Sequence, residues 1–493
     1  MSTAIAVDAD PAALVERLGT PISRLTSDSR DVRPGDTFAA YPGTHLDGRA
    51  YIPDAIARGA GSVLWDPQGF NWDRSWTVTH LPVEHLKFKV GAVADFVYGH
   101  PSREMWAVGV TGTNGKTSCA HWIAAGLQAA GRRTAVIGTL GNGMLGAIRP
   151  ALNTTPDATL LHEMLLEFKK AGADAVVMEV SSHGVDQGRV NGVTFSVALF
   201  TNLSRDHLDY HGTMAAYGAA KAQLFTWPGL RVGVINADDS FGRSLIDAAR
   251  ASGRKVLTYG FGAADLSGGR LVASATGLAF NVATPWGKGE LRTRVVGEFN
   301  ASNLLGVLGV LLVSGIPLES ALAFLSETQA PPGRMQRFGG DGLPLVVVDY
   351  AHTPDALEKA LAALRPAVAT GGELICVFGC GGERDRGKRP EMGRLAARLA
   401  DRVVVTSDNP RGEDPATIAS EVVHGIREGG NRRYAVELDR AAAIATAIAE
   451  SKAGDVVLLA GKGHETYQET GGVRQPFHDA DHASRALASR SRQ

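Results

Sequence analysis

Cysteine is scarce in this chain. Of 493 residues only Cys119, Cys376 and Cys380 carry a thiol, and no two form a C-x-x-C pair. An odd, sparse set excludes a disulfide framework and a cysteine-built zinc site, and it fits a reducing compartment. A dominant charge is also missing, since Lys+Arg 50 against Asp+Glu 51 leaves a net charge of -1. That balance supplies no long-range field for nucleic acid or an anionic membrane, so an anionic ligand must be held by local groups. No apolar run reaches the roughly 18 residues needed to span a bilayer. The opening "MSTAIAVDADPAALVERLG" has early acids and no basic stretch leading into an apolar core, so no signal peptide is expected. The expectation is a cytoplasmic monomer with no nucleic-acid partner and no membrane insertion.

What is present is ordinary for a large folded chain: hydrophobic residues make up 44% and charged residues 20%. At about 150 residues per domain the length allows roughly two to four domains. Residues 1–98 mix short strands with turn signals, and "VYGHPSREM" (97–105) reads as a linker because Gly-His-Pro-Ser punctuates the chain. From 106 the rhythm becomes strand, helix, strand, with wholly apolar strands at "WAVGVTG", "TAVIG", "ADAVVMEVSS" and "FSVALFTNLS". Strands apolar on both faces and alternating with helices predict a parallel sheet. After a second break at "ETQAPPGRMQRFGG" (327–340) the alternation restarts and predicts another doubly wound unit. The expected fold class is α/β with three domains, 1–98, 99–332 and 333–493.

"GVTGTNGKTS" (109–118) ends an apolar strand and opens a helix. A phosphate cradle needs backbone N–H groups turned inward by glycine, a helix N-terminus, a lysine and a hydroxyl for Mg²⁺. Gly112, Gly115, Lys116 and Thr117 supply these, although Val110 stands where the general phosphate-loop pattern has its first glycine. No guanine-type NKxD signature is present, so ATP is favoured. Two further strand ends carry acids and imidazoles: "MEVSSHGVDQGRV" (178–190) with Glu179 and Ser181, and "TNLSRDHLDYHG" (201–212) with Asp206, His207, Asp209 and His211. Ligands gather at such ends in open α/β sheets, and Glu179 with a histidine suits a hard metal beside a nucleotide. Cys376 and Cys380 read as core residues. His352 and Asp355 read as caps of the helix that follows Thr353.

Taken in order, "TSDSRDVRPGDTF" (26–38), "TGTNGKTS", "NTT" (153–155), "MEVSSHG", "TNLSRDHLDYHG", "GEFNASN" (297–303), "GRMQRF" (333–338), "VVDYAHTPDALEKAL" (347–361), "GCGGERDRGKRPEMG" (379–393), "SDNPRGEDP" (407–415) and "AGKGHETYQ" (460–468) resemble the Mur ligases, the ATP-dependent amino-acid-adding enzymes of peptidoglycan synthesis. The resemblance runs through nearly the whole chain. It implies a uridine-nucleotide domain (1–98), a central phosphate-loop domain (99–332) and a C-terminal, Rossmann-like amino-acid domain (333–493). In such enzymes the γ-phosphoryl group of ATP passes to a substrate carboxylate, and an amine then attacks the acyl phosphate. The implied carboxylate is the D-Glu side chain of UDP-MurNAc-L-Ala-D-Glu.

Residue by residue, the resemblance implies that Gly112, Thr113, Asn114, Gly115, Lys116, Thr117 and Ser118 hold the phosphates of ATP, with Asn300, Arg334 and Asp349 around the rest. Lys116, Glu179, His207 and Lys221 are the implied catalytic set, and Thr117, Glu179, His207 and Lys221 the implied metal ligands. Lys221 in "YGAAKAQLF" reads by itself as a solvated helix lysine, and only the resemblance implies that it is carbamylated. Ser27, Ser29, Thr44, His45, Leu46, Asn153, Thr154, Thr155, Ser181, Gln187 and Arg189 are implied contacts to the UDP-linked dipeptide. Arg384, Asp408, Asn409, Pro410, Arg411, Gly461 and Glu465 are implied contacts to the added amino acid. "DNPR" is similar to the motif of the diaminopimelate-adding branch, and an arginine there suits the second carboxylate of meso-diaminopimelate better than the lone ammonium of lysine. Folylpolyglutamate synthetase, of the same chemistry, and a regulatory or transport ATPase are the rivals.

Overall fold

The structure, a computed structural model, describes residues 10–44, 46–274, 276–430 and 433–490. His45, an expected nucleotide contact, lies outside the described residues. The chain condenses into two compact units. One runs to Leu266 and adds Gly306–Pro317; the other takes Ser267–Leu305 and the chain from Leu318 on.

The first unit opens with an all-parallel sheet whose strands follow chain order: Leu25–Thr26, Thr37–Ala40, Ser62–Trp65 and Thr79–Pro82. Alternate residues face opposite ways along a strand. Ala39 and Leu64 therefore enter one core with Leu86 and Val90, while Phe38, Val63 and Trp65 enter another. The expected linker at 97–105 is instead packed. Pro101–Arg103 forms a 3-10 turn with Pro101 and Ser102 buried, and Ser102 Oγ accepts the Thr194 N–H at 3.0 Å. The Gly-His-Pro-Ser punctuation marks a turn, but a neighbouring surface covers it.

The larger sheet of this unit is ordered Gly141–Met144, Thr134–Gly138, Ala175–Glu179, Trp106–Thr111, Val197–Phe200, Val232–Asn236, Lys255–Gly260. The first strand is antiparallel to its neighbour, and the other six run parallel. Residues 107–111, 175–179 and 197–200 are all buried, as a sheet covered on both faces requires. Register pairs Val110 with Glu179 and Thr111 with Phe200. Gly112, Glu179 and Thr201 are thereby brought to one carboxyl edge, where the helix Lys116–Ala129 begins.

In the second unit Val272–Ser274, Gly277–Thr284 and Gly287–Thr293 form an antiparallel meander. A six-stranded sheet follows, ordered Gln336–Gly339, Leu345–Asp349, Val456–Ala460, Leu374–Phe378, Arg402–Val405, Tyr434–Val436. It is parallel apart from its first strand. Val347, Cys376, Phe378 and Leu458 pack under the helices Pro354–Leu364, Lys388–Leu399 and Pro415–Glu428; Val348, Val377 and Leu459 pack on the other face, under Arg440–Ala449 and Asp479–Arg490. This is the expected doubly wound sheet, with Cys376 and Cys380 in its core. The helix cap differs from expectation. Thr353, not His352 or Asp355, accepts the Ala356 N–H, because Pro354 occupies the first helical position and leaves the residue before it as the cap.

Candidate active site

Two glycines shape the loop between strand and helix. Gly112 has φ 146°, and a Cβ there would lie 1.9 Å from Thr201 Oγ1; Gly115, at the helix N-cap, has φ 86°. The helix Lys116–Ala129 has no side-chain cap, so its first-turn N–H groups and dipole face the loop. Residues of the neighbouring strand end brace the loop: the Thr113 N–H donates to the Asn202 carbonyl at 2.8 Å, and Thr201 Oγ1 donates to the Asn114 carbonyl at 2.6 Å.

Lys116 Nζ donates to the carbonyls of Gly112 (3.0 Å) and Thr113 (2.8 Å). Thr117 Oγ1 donates to Glu179 Oε2 at 2.9 Å. Glu179 is buried at 1% exposure, and its other hydrogen bonds come from the N–H (2.8 Å) and Oγ1 (3.2 Å) of Thr139. A buried carboxylate satisfied by neutral threonine groups, beside a hydroxyl, is a donor set suited to a hard cation. Among the described residues no three His, Cys, Asp or Glu side chains converge on a ready metal site. A hard cation held by Glu179 would have to take its remaining oxygens from water or phosphate, as Mg²⁺ can.

Lys221 corrects its sequence reading. It is only 1% exposed, and its Nζ donates to the same Gly112 carbonyl at 2.8 Å while lying 4.4 Å from the centre of the Tyr217 ring. The helix Met214–Ala222 turns this side chain inward beside buried Tyr217 and Ala220. Burial, and then the Lys116 cation, hold its ammonium well below the ordinary 10.5. His207 sits at φ 52° with its Nε2 3.4 Å from Asp206 Oδ2. The side chain is half-exposed, and partial desolvation lowers its pKa from the ordinary 6.5 despite Asp206. His183 lies between His207 and His211, with ring centres 4.8 and 5.4 Å away, and burial followed by those two rings lowers its pKa to about 4.

The expected dipeptide contacts divide. Thr155 Oγ1 donates to the Glu179 carbonyl at 2.9 Å and lies 3.1 Å from Ser181 Oγ; Thr154 Oγ1 is 3.0 Å from Thr139 Oγ1. Arg189 donates to Gln187 Oε1 at 3.0 and 2.7 Å and to the Thr155 carbonyl at 2.8 Å. Ser27 Oγ donates to Asp157 Oδ1 at 3.2 Å, while Ser29 is buried nearby in the turn Ser29–Asp31. Asn153, Thr44 and Leu46 are exposed.

In the second unit Asn300 Nδ2 donates to the Val296 carbonyl at 2.8 Å. Asp349 Oδ2 accepts the Met335 N–H at 2.8 Å, with its pKa raised by burial against the pull of Arg334. Arg334 lies over the Tyr350 ring at 4.7 Å. A separate cluster forms where Ser407–Arg411 meets Gly461–Glu469. Asn409 Nδ2 donates to Glu465 Oε2 at 2.8 Å, Gln468 Nε2 donates to the Asp408 carbonyl at 2.9 Å, and Pro410 is buried. Arg411 has φ 51° and donates through Nη1 to the Gly382 carbonyl at 2.8 Å. A Cβ on Gly461 (φ 113°) would come within 2.9 Å of Asp408 Oδ2. Arg384 is exposed on the glycine-rich stretch. Sequence reading missed Thr139, Tyr217 and the fully buried Lys462, which stands three residues before Glu465 in "GKGHE" with nothing in that pattern to show its burial.

A Gly-Lys-Thr loop at the carboxyl edge of a parallel sheet, running straight into a helix, defines the phosphate-loop class of nucleotide-binding proteins. Family models match three successive stretches: the Mur ligase family catalytic domain over residues 21–98, the Mur ligase middle domain over 110–311, and the Mur ligase glutamate ligase domain over 333–463. The chain belongs to the Mur ligase family. It is 52% identical to a UDP-N-acetylmuramoyl-L-alanyl-D-glutamate–2,6-diaminopimelate ligase of Chromobacterium violaceum, over 98% of this chain and 97% of that protein. The ligase of the same name from Pseudomonas aeruginosa is 51% identical over 95% of each. A solved structure bearing that name superposes with a TM-score of 0.72 at 37% identity, covering 99% of this chain and 98% of the other. Among the described residues no helix is long and apolar enough to cross a membrane.

Proposed function

We propose that this chain is an ATP-dependent ligase that joins meso-2,6-diaminopimelate to the D-Glu side-chain carboxylate of UDP-MurNAc-L-Ala-D-Glu, in the cytoplasm. One observation carries the reading. The loop–Glu179–Lys221 arrangement and an arginine-bearing strand end occur together in a chain that shares nearly its whole length with ligases of that name.

The D-Glu carboxylate attacks the γ-phosphorus of ATP, the bond to ADP breaks, and an acyl phosphate forms. The amine of diaminopimelate then attacks the acyl carbon; phosphate leaves, and the nitrogen loses a proton to give the amide. The dominant barrier is repulsion between carboxylate and triphosphate. Residues 112–118 answer it with backbone N–H groups and the Lys116 cation. Thr117 and Glu179, with His207 and a carbamate on Lys221, would hold Mg²⁺, which when bound neutralises phosphate charge. The depressed Lys221 ammonium leaves an amine able to add CO₂ and release a proton, turning a cation into an oxygen-bearing anion. Thr155, Ser181, Gln187 and Arg189 orient the dipeptide, and Ser27, Ser29, Thr44, His45 and Leu46 take the uridine end. Asn300, Arg334 and Asp349 contribute to ATP recognition by likeness to the family. Arg384, Asp408, Asn409, Arg411, Gly461 and Glu465 recognise the amino acid. The division of labour follows 1–98, 99–332 and 333–493.

An ADP-release assay tests this. Turnover should require both the UDP-linked dipeptide and diaminopimelate, and release from ATP alone at the same rate would overturn the proposal.

A further inference from the structure

Lys462 is the one fully buried lysine beside the strand end 407–411 among the described residues, at 0% exposure. Gly461 and Gly463 flank it at φ 113° and 53°, and this left-handed turn after the strand Val456–Ala460 carries the lysine into the interior. Its Nζ donates to Asn409 Oδ1 at 3.0 Å and to Glu465 Oε2 at 3.0 Å, and it lies 3.8 Å from Asp408 Oδ1. Asn409 Oδ1 also accepts the Glu469 N–H at 3.0 Å. An ammonium and a backbone N–H can only donate, so the carboxamide oxygen must face them and the NH₂ must face Glu465. On Glu465 both bonds fall on Oε2, which leaves Oε1 its lone pairs for an incoming ammonium.

We propose that Lys462 is a positioning residue for amino-acid recognition: it fixes the orientation of Asn409 and presents the Glu465 carboxylate to the ammonium of the added amino acid. This rests on the reading of 408–411 and Glu465 as the amino-acid site. A buried ammonium serving charge balance alone would affect stability and all substrates alike. A positioning role instead falls on one substrate.

The test compares full-length Lys462→Met, Lys462→Gln, Lys462→Arg and Arg411→Ala. Initial rates are measured with meso-diaminopimelate varied and then with ATP varied, alongside thermal unfolding. Lys462→Met should raise the KM for diaminopimelate about tenfold or more, the loss expected when charged hydrogen bonds go unmade, and leave that for ATP within about twofold. Lys462→Arg, which keeps a cation, should recover most of the loss. An unchanged diaminopimelate KM, or an equal rise for ATP, overturns the role. If the Met variant does not fold, Lys462→Gln decides by the same two constants. Arg411→Ala separates the layers: if it leaves the diaminopimelate KM unchanged, the site assignment itself fails, whereas a rise there with none for Lys462→Met removes only the Lys462 role.

Discussion

Lys221 Nζ lies 2.8 Å from the carbonyl oxygen of Gly112, and Lys116 Nζ lies 3.0 Å from that same oxygen. Two ammonium groups thus converge on one neutral acceptor. Repulsion and burial both favour losing a proton from Lys221, the more deeply buried of the two. A carbamate on that nitrogen would face Lys116 as an anion and turn the repulsion into attraction. This relationship supports the least intuitive element of the proposed site.

Replacing Lys221 with Ala should therefore lower ligation by about a hundredfold or more, since a charged ligand beside the phosphates is lost. Added short carboxylates should restore much of the activity by occupying the vacated space. Full activity in Lys221→Ala without additive would contradict the role.

Gly112→Ala should harm both folding and nucleotide binding. The residue would have to adopt φ 146° with its Cβ 1.9 Å from Thr201 Oγ1. Strain and overlap together should cost roughly 2–3 kcal/mol, read as a lower denaturation midpoint with weaker ATP binding. An unchanged midpoint would show that the loop relaxes freely.

His162 gives a pH signature remote from the phosphate loop. Its ring is fully buried, with Nε2 2.8 Å from the Asn191 carbonyl, and burial lowers its pKa below the ordinary 6.5 despite that bond and Asp95. Protonation thus favours the unfolded chain. The contribution is complete above the unfolded value and is lost as pH falls toward the lowered folded one. The denaturation midpoint should drop between about pH 7 and pH 5, and drop less in His162→Gln, whose amide can donate to the same carbonyl. Parallel curves for the two proteins would assign the acid sensitivity elsewhere.

Arg411 is held by the Gly382 carbonyl through one Nη, which leaves its other donors for a carboxylate. Arg411→Ala should raise the KM for diaminopimelate about a hundredfold, as expected for a lost bidentate pair, and spare that for ATP. Equal losses for both substrates would count against the assignment.

Much of this was legible in the chain itself. Apolar strands alternating with helices gave the parallel sheets, because a strand covered on both faces has no polar side to show. The Gly112–Thr117 loop was legible because its conformation demands those residue types. Lys221 and Lys462 were not. A helix lysine near Tyr217 and a lysine between two glycines look solvated until tertiary packing closes over them. The turn at Pro101–Arg103 was recognisable as punctuation, but its burial depends on the distant Thr194. Thr353 caps its helix because it immediately precedes Pro354 at the first helical position, a place neither His352 nor Asp355 holds.

The most direct measurement is the mass of the product formed from UDP-MurNAc-L-Ala-D-Glu, ATP and Mg²⁺ with equal meso-diaminopimelate and L-lysine in competition. The expected result is a UDP-linked tripeptide carrying diaminopimelate through the D-Glu side-chain amide, formed in step with ADP. Incorporation of lysine to the same extent, or consumption of ATP without any tripeptide, would contradict it.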